Sequence, residues 1–300
     1  MHLFITGASG FIGTAVARQL LAAGHTLTGV ARSDASAGRL AAAGVAVQRG
    51  DLEDVGSLAG AMRNADGIVH IAVGGPRGVT EADERVVAAM IDALAGRDAP
   101  LIVTSGVGVY AGIGLPLVDE DTPLDNPIPP QAPRVRLEAQ AVAAAARGVR
   151  AMVLRPAHAY GAGGCGIFTR MQIDYAARSG AGGYVGDGAV PYGTVHLEDL
   201  AAAYDAALQH GRAGARYNIV GQTLSTRDVA GAVADAVGAD GRTAALTAAQ
   251  AQEAWGPLAG VLIAAPRISS LRATRELQWT PRSATLTYEL IHGSLRRAQA

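Results

Sequence analysis

The chain has 300 residues, 49% hydrophobic and 17% charged, which is enough apolar content for a full core and argues against disorder. A formal charge of -1 with no basic run excludes long-range attraction to nucleic acid or an anionic membrane, so the expected partner is a small molecule. The one cysteine, Cys165, excludes an internal disulfide or a cysteine-based zinc site and suits a reducing cytoplasm, the expected location.

Short apolar runs at 2–6, 27–31, 45–49, 67–73, 101–105 and 150–155 read as strands. The first has no basic stretch before it and reads as a strand rather than a signal peptide; no apolar run approaches the roughly 20 residues that span a bilayer. Between the strands lie segments such as "TAVARQLLAAG" and "VRLEAQAVAAAARG", with apolar residues at helical spacing and a closing glycine. Uniformly apolar strands joined by helices predict an α/β fold with a doubly wound parallel sheet covered on both faces, a Rossmann fold. After residue 156 glycine-rich loops and less regular helices predict a small C-terminal substrate-binding lobe. The expected division is a dinucleotide-binding part over 1–159, rejoined by about 194–222, with the lobe formed by 160–193 and 223–300.

"FITGASGFIGTAV" sets Gly7, Gly10 and Gly13 directly after the first strand and at the opening of a helix. Glycines at this spacing allow a tight turn, close approach of backbone N–H groups to a pyrophosphate, and close packing of helix on strand. Ser9, Phe11 and Ile12 share that loop. The second strand ends "GVARSD"; Arg32 and Ser33 there suit a ribose 2′-phosphate, which favours NADP(H), while Asp34 could serve NAD. Asp51 and Leu52, after the third strand, fall where the adenine would lie. Ala72 and Val73, at the end of the fourth, are further cofactor contacts.

The motifs "TGASGFIG", "GDLED", "VTSGVGVYAG", "LRPAHAYGAGG", "VGDGAVPYGTVHLEDLA" and "LQWTP" run in one order over nearly the whole chain. In that order and spacing they resemble the extended and atypical short-chain dehydrogenase/reductases, the family that includes NAD-dependent epimerases and dehydratases. The resemblance implies a catalytic tyrosine, a lysine that lowers its pKa and holds the nicotinamide ribose, and an upstream Ser or Thr on the substrate oxygen. Counting back from Glu138 puts Pro130 in the tyrosine's place and Arg134 in the lysine's. The sequence contains no lysine, so the usual dyad cannot form anywhere in it.

The candidates left for catalysis are Thr104 and Ser105 to bind the carbonyl oxygen, Arg134 to hold the ribose, and Tyr110, His158, Tyr160 or Tyr192 to supply the proton. Tyr110, His158 and Tyr192 are candidates for substrate contact, and Pro156 for lining the nicotinamide. Tyr110 and Tyr160 also read as packing aromatics, His196 and Asp199 as structural ties, and His70 as a hydrogen-bonded core residue. Metal sites, Walker loops and nucleophile elbows are not found. The expected function is NADP(H)-dependent oxidation or reduction of a carbonyl, alcohol or imine of a small molecule. The alternatives are an epimerase or dehydratase that recycles its bound cofactor, and a cofactor-binding sensor without turnover. The arginine-only basic set, with abundant Ala and Gly, points to a GC-rich bacterial genome. The helix at 134–147 serves either a homodimer or the chain's own sheet.

Overall fold

The structure, a computed structural model, describes residues 1–72 and 79–297. Its first half alternates strand and helix: β1 (His2–Thr6), α1 (Phe11–Ala22), β2 (Thr26–Ala31), α2 (Asp34–Ala42), β3 (Ala46–Arg49), α3 (Val55–Asn64), β4 (Gly67–His70), α4 (Glu81–Leu94) and β5 (Pro100–Thr104). A two-residue strand β6 (Leu117–Val118), helix α5 (Ala132–Ala143) and β7 (Arg150–Pro156) follow. Strand β4 stops at His70, short of the expected 73, and Val73 lies outside the described residues.

The rest of the chain adds β8 (His158–Gly161), β9 (Gly164–Cys165), α6 (Ile167–Ser179), β10 (Gly182–Val185), β11 (Pro191–His196), α7 (Leu197–His210) and β12 (Arg216–Ile219). Then come β13 (Gln222–Ser225), α8 (Thr226–Ala236), β14 (Thr243–Leu246), α9 (Ala248–Trp255), α10 (Ala259–Ile263) and β15 (Arg267–Ile268). His158, just past the end of β7, opens a further strand, because β8 pairs in parallel with β11 and sets His158 opposite Thr194.

Seven strands form the central sheet in the order β12-β7-β5-β4-β1-β2-β3. Every pairing in it is parallel. Leu3, Phe4 and Ile5 in β1 are all fully buried although consecutive side chains point to opposite faces, so both faces are covered. Helices α1 and α7 build the core on one side, and α3, α4 and α5 build it on the other. The strand order reverses between β1 and β4, which opens a crevice at their carboxyl ends. A smaller sheet, β13-β11-β8-β9, carries the chain from the end of β7 into the third core cluster.

One buried ion pair locks the elements that flank this crevice. The Arg155 side chain of β7 and the Glu138 side chain of α5 are 1% and 2% exposed. Arg155 Nε donates to Glu138 Oε1 at 3.0 Å and Oε2 at 3.1 Å, and a second guanidinium nitrogen reaches Oε2 at 2.5 Å. Removing one member of such a pair leaves an unpaired buried charge, which costs about 3–5 kcal/mol, whereas apolar replacement of both is far less costly. Glu138→Ala is expected to lose about that much stability in urea unfolding, with much of the loss restored in the Glu138→Leu/Arg155→Met double variant.

Candidate functional site

The glycine turn stands at the crevice. Gly7 has φ +74, a conformation that strains any residue with a Cβ, and an added Cβ would lie 2.7 Å from the Ala72 backbone nitrogen. A Cβ on Gly13 would lie 2.0 Å from the Gly7 carbonyl oxygen, so helix α1 seats on the turn only because residue 13 is glycine. Gly10 N donates to Gly7 O and closes the turn, leaving the N-terminus of α1 with no side-chain cap and no acidic residue in its first turn. An anion fits such a helix end.

Beside the turn lies a cavity of about 300 Å³ lined by Gly7, Ser9, Arg32, Ser33, Asp51, Leu52 and Ala72, with Ser36 and Arg39 from α2. These residues fit the adenosine half of a nicotinamide dinucleotide. Of the two ribose candidates, Asp34 is paired with Arg49 at 2.5 Å, whereas Arg32 forms no hydrogen bond or ion pair among the described residues. Ser33 caps α2, accepting from Ser36 N at 3.2 Å, so its hydroxyl already has a structural task. Asp51 accepts from Glu53 N. Sequence reasoning missed Arg39 and Ser36; their signal was the i, i+3 spacing that puts both on one face of α2.

A second cavity, of about 230 Å³, lies beyond the ends of β5 and β7. Ser105, Gly108, Tyr110, Gln131, Arg134, Pro156, His158 and Phe168 line it, and Val261, Ala264, Ala265, Pro266 and Ile268 roof it. The structure therefore brings Ser105, Arg134, Pro156 and His158 together at one cleft. Pro130 sits in the 3₁₀ turn Pro129–Gln131 that opens α5, one residue before Gln131.

Hydrogen bonding fixes what each group can offer. Ser105 Oγ donates to Glu138 Oε1 at 2.5 Å. Thr104 Oγ1 pairs with the Tyr204 hydroxyl at 2.7 Å and does not line the cleft. Tyr110 is fully buried; its hydroxyl meets Asp119 O, Asn218 Oδ1 and an Arg155 guanidinium nitrogen, and burial pushes its pKa up to about 12. Tyr160 donates to Ala284 O at 2.8 Å, and Tyr192 pairs with Thr169 Oγ1 at 2.9 Å; burial raises the pKa of both. Neither Tyr160 nor Tyr192 lines the cleft, so the structure places the hydroxyl of Tyr160 away from the position of a proton donor.

His158 does line the cleft, stacked on Tyr192 at 4.4 Å between ring centroids and tilted against Phe168 at 4.8 Å. Burial lowers its pKa to about 4, against the ordinary value near 6.5 on which its expected acid role rested. It is thus a neutral imidazole at neutral pH, a hydrogen-bonding group rather than a ready acid. His70 Nδ1 meets Thr6 Oγ1 at 2.8 Å, and burial lowers its pKa to about 4 as well. Asp199 accepts from Arg282 N, Ser283 N and Ser283 Oγ, which ties the start of α7 to the C-terminal segment.

The parallel sheet with its glycine turn at the switch point defines a Rossmann-type dinucleotide-binding protein. The chain belongs to the NAD dependent epimerase/dehydratase family, whose model matches residues 3–220. Members of that family use nicotinamide cofactors. The chain is 32% identical over 296 residues, 97% of this chain and 98% of the other, to a Schizosaccharomyces pombe protein described as uncharacterized. Over 74 residues, 24% of this chain and 18% of the other, it is 42% identical to a 2-alkyl-3-oxoalkanoate reductase of Shewanella oneidensis. Its fold is similar to that of dTDP-glucose 4,6-dehydratase from Streptomyces venezuelae with NAD bound, with TM-score 0.77, 24% identity, and 99% and 96% of the two chains covered. It is also similar to UDP-glucose 4-epimerase from Thermotoga maritima, with TM-score 0.76, 18% identity, and 99% and 98% covered. Among the described residues no helix is long and apolar enough to cross a membrane, and no cluster of His, Cys, Asp or Glu could hold a metal ion.

Both low-pKa imidazoles take up protons more readily once unfolded. Between their unfolded value near 6.5 and their folded value of about 4, the unfolded chain binds more protons, so stability is lost as pH falls through that window. Thermal unfolding midpoints are expected to drop across it, and the drop should be shallower in His158→Gln.

Proposed function

We propose that the protein is an NADP(H)-dependent oxidoreductase that acts on a carbonyl or alcohol of a small organic molecule held in the cleft beside His158. The observation that carries this reading is the make-up of the ribose corner: Arg32 and Arg39 face the cavity while the acid that could favour NAD, Asp34, is engaged by Arg49. Two guanidinium groups there complement a 2′-phosphate, and Asp34, with its side chain turned to solvent, is not among the residues that line the cavity.

When bound, the nicotinamide supplies or takes up the hydride. The chain's own residues hold the ring against Pro156, hold the ribose with Arg134, and flank the cleft with residues of 261–268. Arg134 lines the cleft and makes no hydrogen bond or ion pair among the described residues; burial lowers its pKa from the usual arginine value, and the charges of Glu138 and Asp83 oppose that shift. Epimerases and dehydratases of the family are the competing reading, and the absence of lysine and of a free tyrosine hydroxyl in the cleft weighs against it.

Titration of the cofactor-stripped protein, followed by nicotinamide fluorescence, is expected to show NADPH binding more tightly than NADH. Arg32→Ala and Arg39→Ala should each weaken NADPH by roughly tenfold, as for a charge-assisted contact partly screened by water, and leave NADH within twofold. Equal affinity for the two cofactors in all three proteins would refute the assignment.

A further inference from the structure

We propose that the side-chain amide of Gln131 is the group that holds the substrate's carbonyl oxygen. The proposal rests on the oxidoreductase reading of the same cleft. Ser105 donates its only hydroxyl proton to Glu138, and the hydroxyls of Thr104, Tyr110, Tyr160 and Tyr192 are engaged inside the protein. His158 is held neutral and carries one N–H, between two aromatic rings. The cleft walls then present three side chains with N–H groups and no internal acceptor among the described residues, Gln131, Arg134 and His158, and of these only Gln131 is a neutral group with two donors. Arg134 is one turn further along α5 and serves the ribose.

Gln131 has a rigid seat. It closes the 3₁₀ turn Pro129–Gln131, where two prolines fix the backbone and Gln131 N donates to Ile128 O at 2.8 Å. Its amide lies flat against Gly108: a Cβ added there would come 3.4 Å from Gln131 Nε2 and 3.6 Å from Oε1. The half-buried Gln131 amide carries two N–H donors that no acceptor among the described residues takes, at the wall of a mainly apolar cleft, and so is open to an acceptor that enters. A carbonyl oxygen meets that need.

In the reduction, hydride from NADPH adds to the carbonyl carbon and the C=O π pair moves onto oxygen. Gln131 Nε2–H stabilises that alkoxide as its charge develops, in the manner of an oxyanion-hole donor. A solvent water then protonates the alkoxide, and the hydroxide left behind is neutralised by buffer. The amide gives up no proton, so neither a tyrosine nor an acidic His158 is required.

The test separates binding from turnover. Isobutyramide presents a carbonyl oxygen and accepts no hydride, so its affinity for the protein–NADPH complex, read by calorimetry, reports the oxygen site alone. Gln131→Ala is expected to weaken isobutyramide about tenfold, with NADPH affinity within twofold, and to lower kcat for a reducible aldehyde by about 10²-fold, as for loss of one oxyanion donor. Gly108→Ala, whose Cβ would make ordinary van der Waals contact with the amide, should leave isobutyramide affinity within twofold. Unchanged isobutyramide affinity in Gln131→Ala, or failure of the wild-type complex to bind it, overturns the assignment. Isobutyramide bound through Gln131 with no carbonyl of any kind reduced would instead overturn the oxidoreductase reading and leave Gln131 as the carbonyl site.

Discussion

The cleft depends on the Arg155–Glu138 ion pair, which joins side chains from four pieces of the chain. Arg155 belongs to β7 and Glu138 to α5; Glu138 takes the Ser105 hydroxyl at the end of β5, and Arg155 reaches the Tyr110 hydroxyl in the following turn. Tyr110 passes the connection on to Asp119 O and to Asn218 of β12. Charges this deep in the protein interact strongly, and with both Glu138 oxygens and the Arg155 guanidinium engaged the network holds one geometry. It sets the position of the first turn of α5, where Gln131 and Arg134 stand, although the tyrosine and lysine usual in this family are missing.

The same network explains why so few groups in the cleft are free for chemistry. A pKa of about 12 keeps Tyr110 protonated, so that its single O–H serves Asp119 O or Asn218 Oδ1 while its oxygen accepts from Arg155. Ser105 faces the cleft with lone pairs, since its proton points at Glu138. Burial among aromatic rings keeps His158 uncharged. A site of this kind is suited to orienting a carbonyl and stabilising charge with neutral N–H groups, and poorly suited to a deprotonation that begins with a strong base.

Much of the fold was legible in the sequence because it rests on short-range rules: uniformly apolar strands, helices ended by glycine, and the Gly7-Gly10-Gly13 turn whose third glycine proves to abut the Gly7 carbonyl. Placement of Ser105, Arg134, Pro156 and His158 around one cavity also followed from their positions at the ends of β5, β7 and the helix between them. Hydrogen-bond direction was not legible. Nothing in the pattern around Thr104 reveals that Tyr204, a hundred residues away, takes its hydroxyl, or that Ala284 takes that of Tyr160. His158 was read from its unperturbed pKa, and the burial that lowers it comes from Tyr192 and Phe168, brought in by pairing of β8 with β11. Gln131 and Arg39 escaped because glutamine and arginine in a helix are unremarkable until the cavity beside them is known.

Transfer of label from the cofactor tests the central claim most directly. The protein is incubated with NADPH deuterated at C4 and a panel of small aldehydes and ketones, and the products are weighed by mass spectrometry. The account predicts an alcohol one mass unit heavier, labelled at the former carbonyl carbon, with stoichiometric NADP+ formed. Turnover that leaves the deuterium on the cofactor, or a bound cofactor that never transfers it to any carbonyl, would contradict the account.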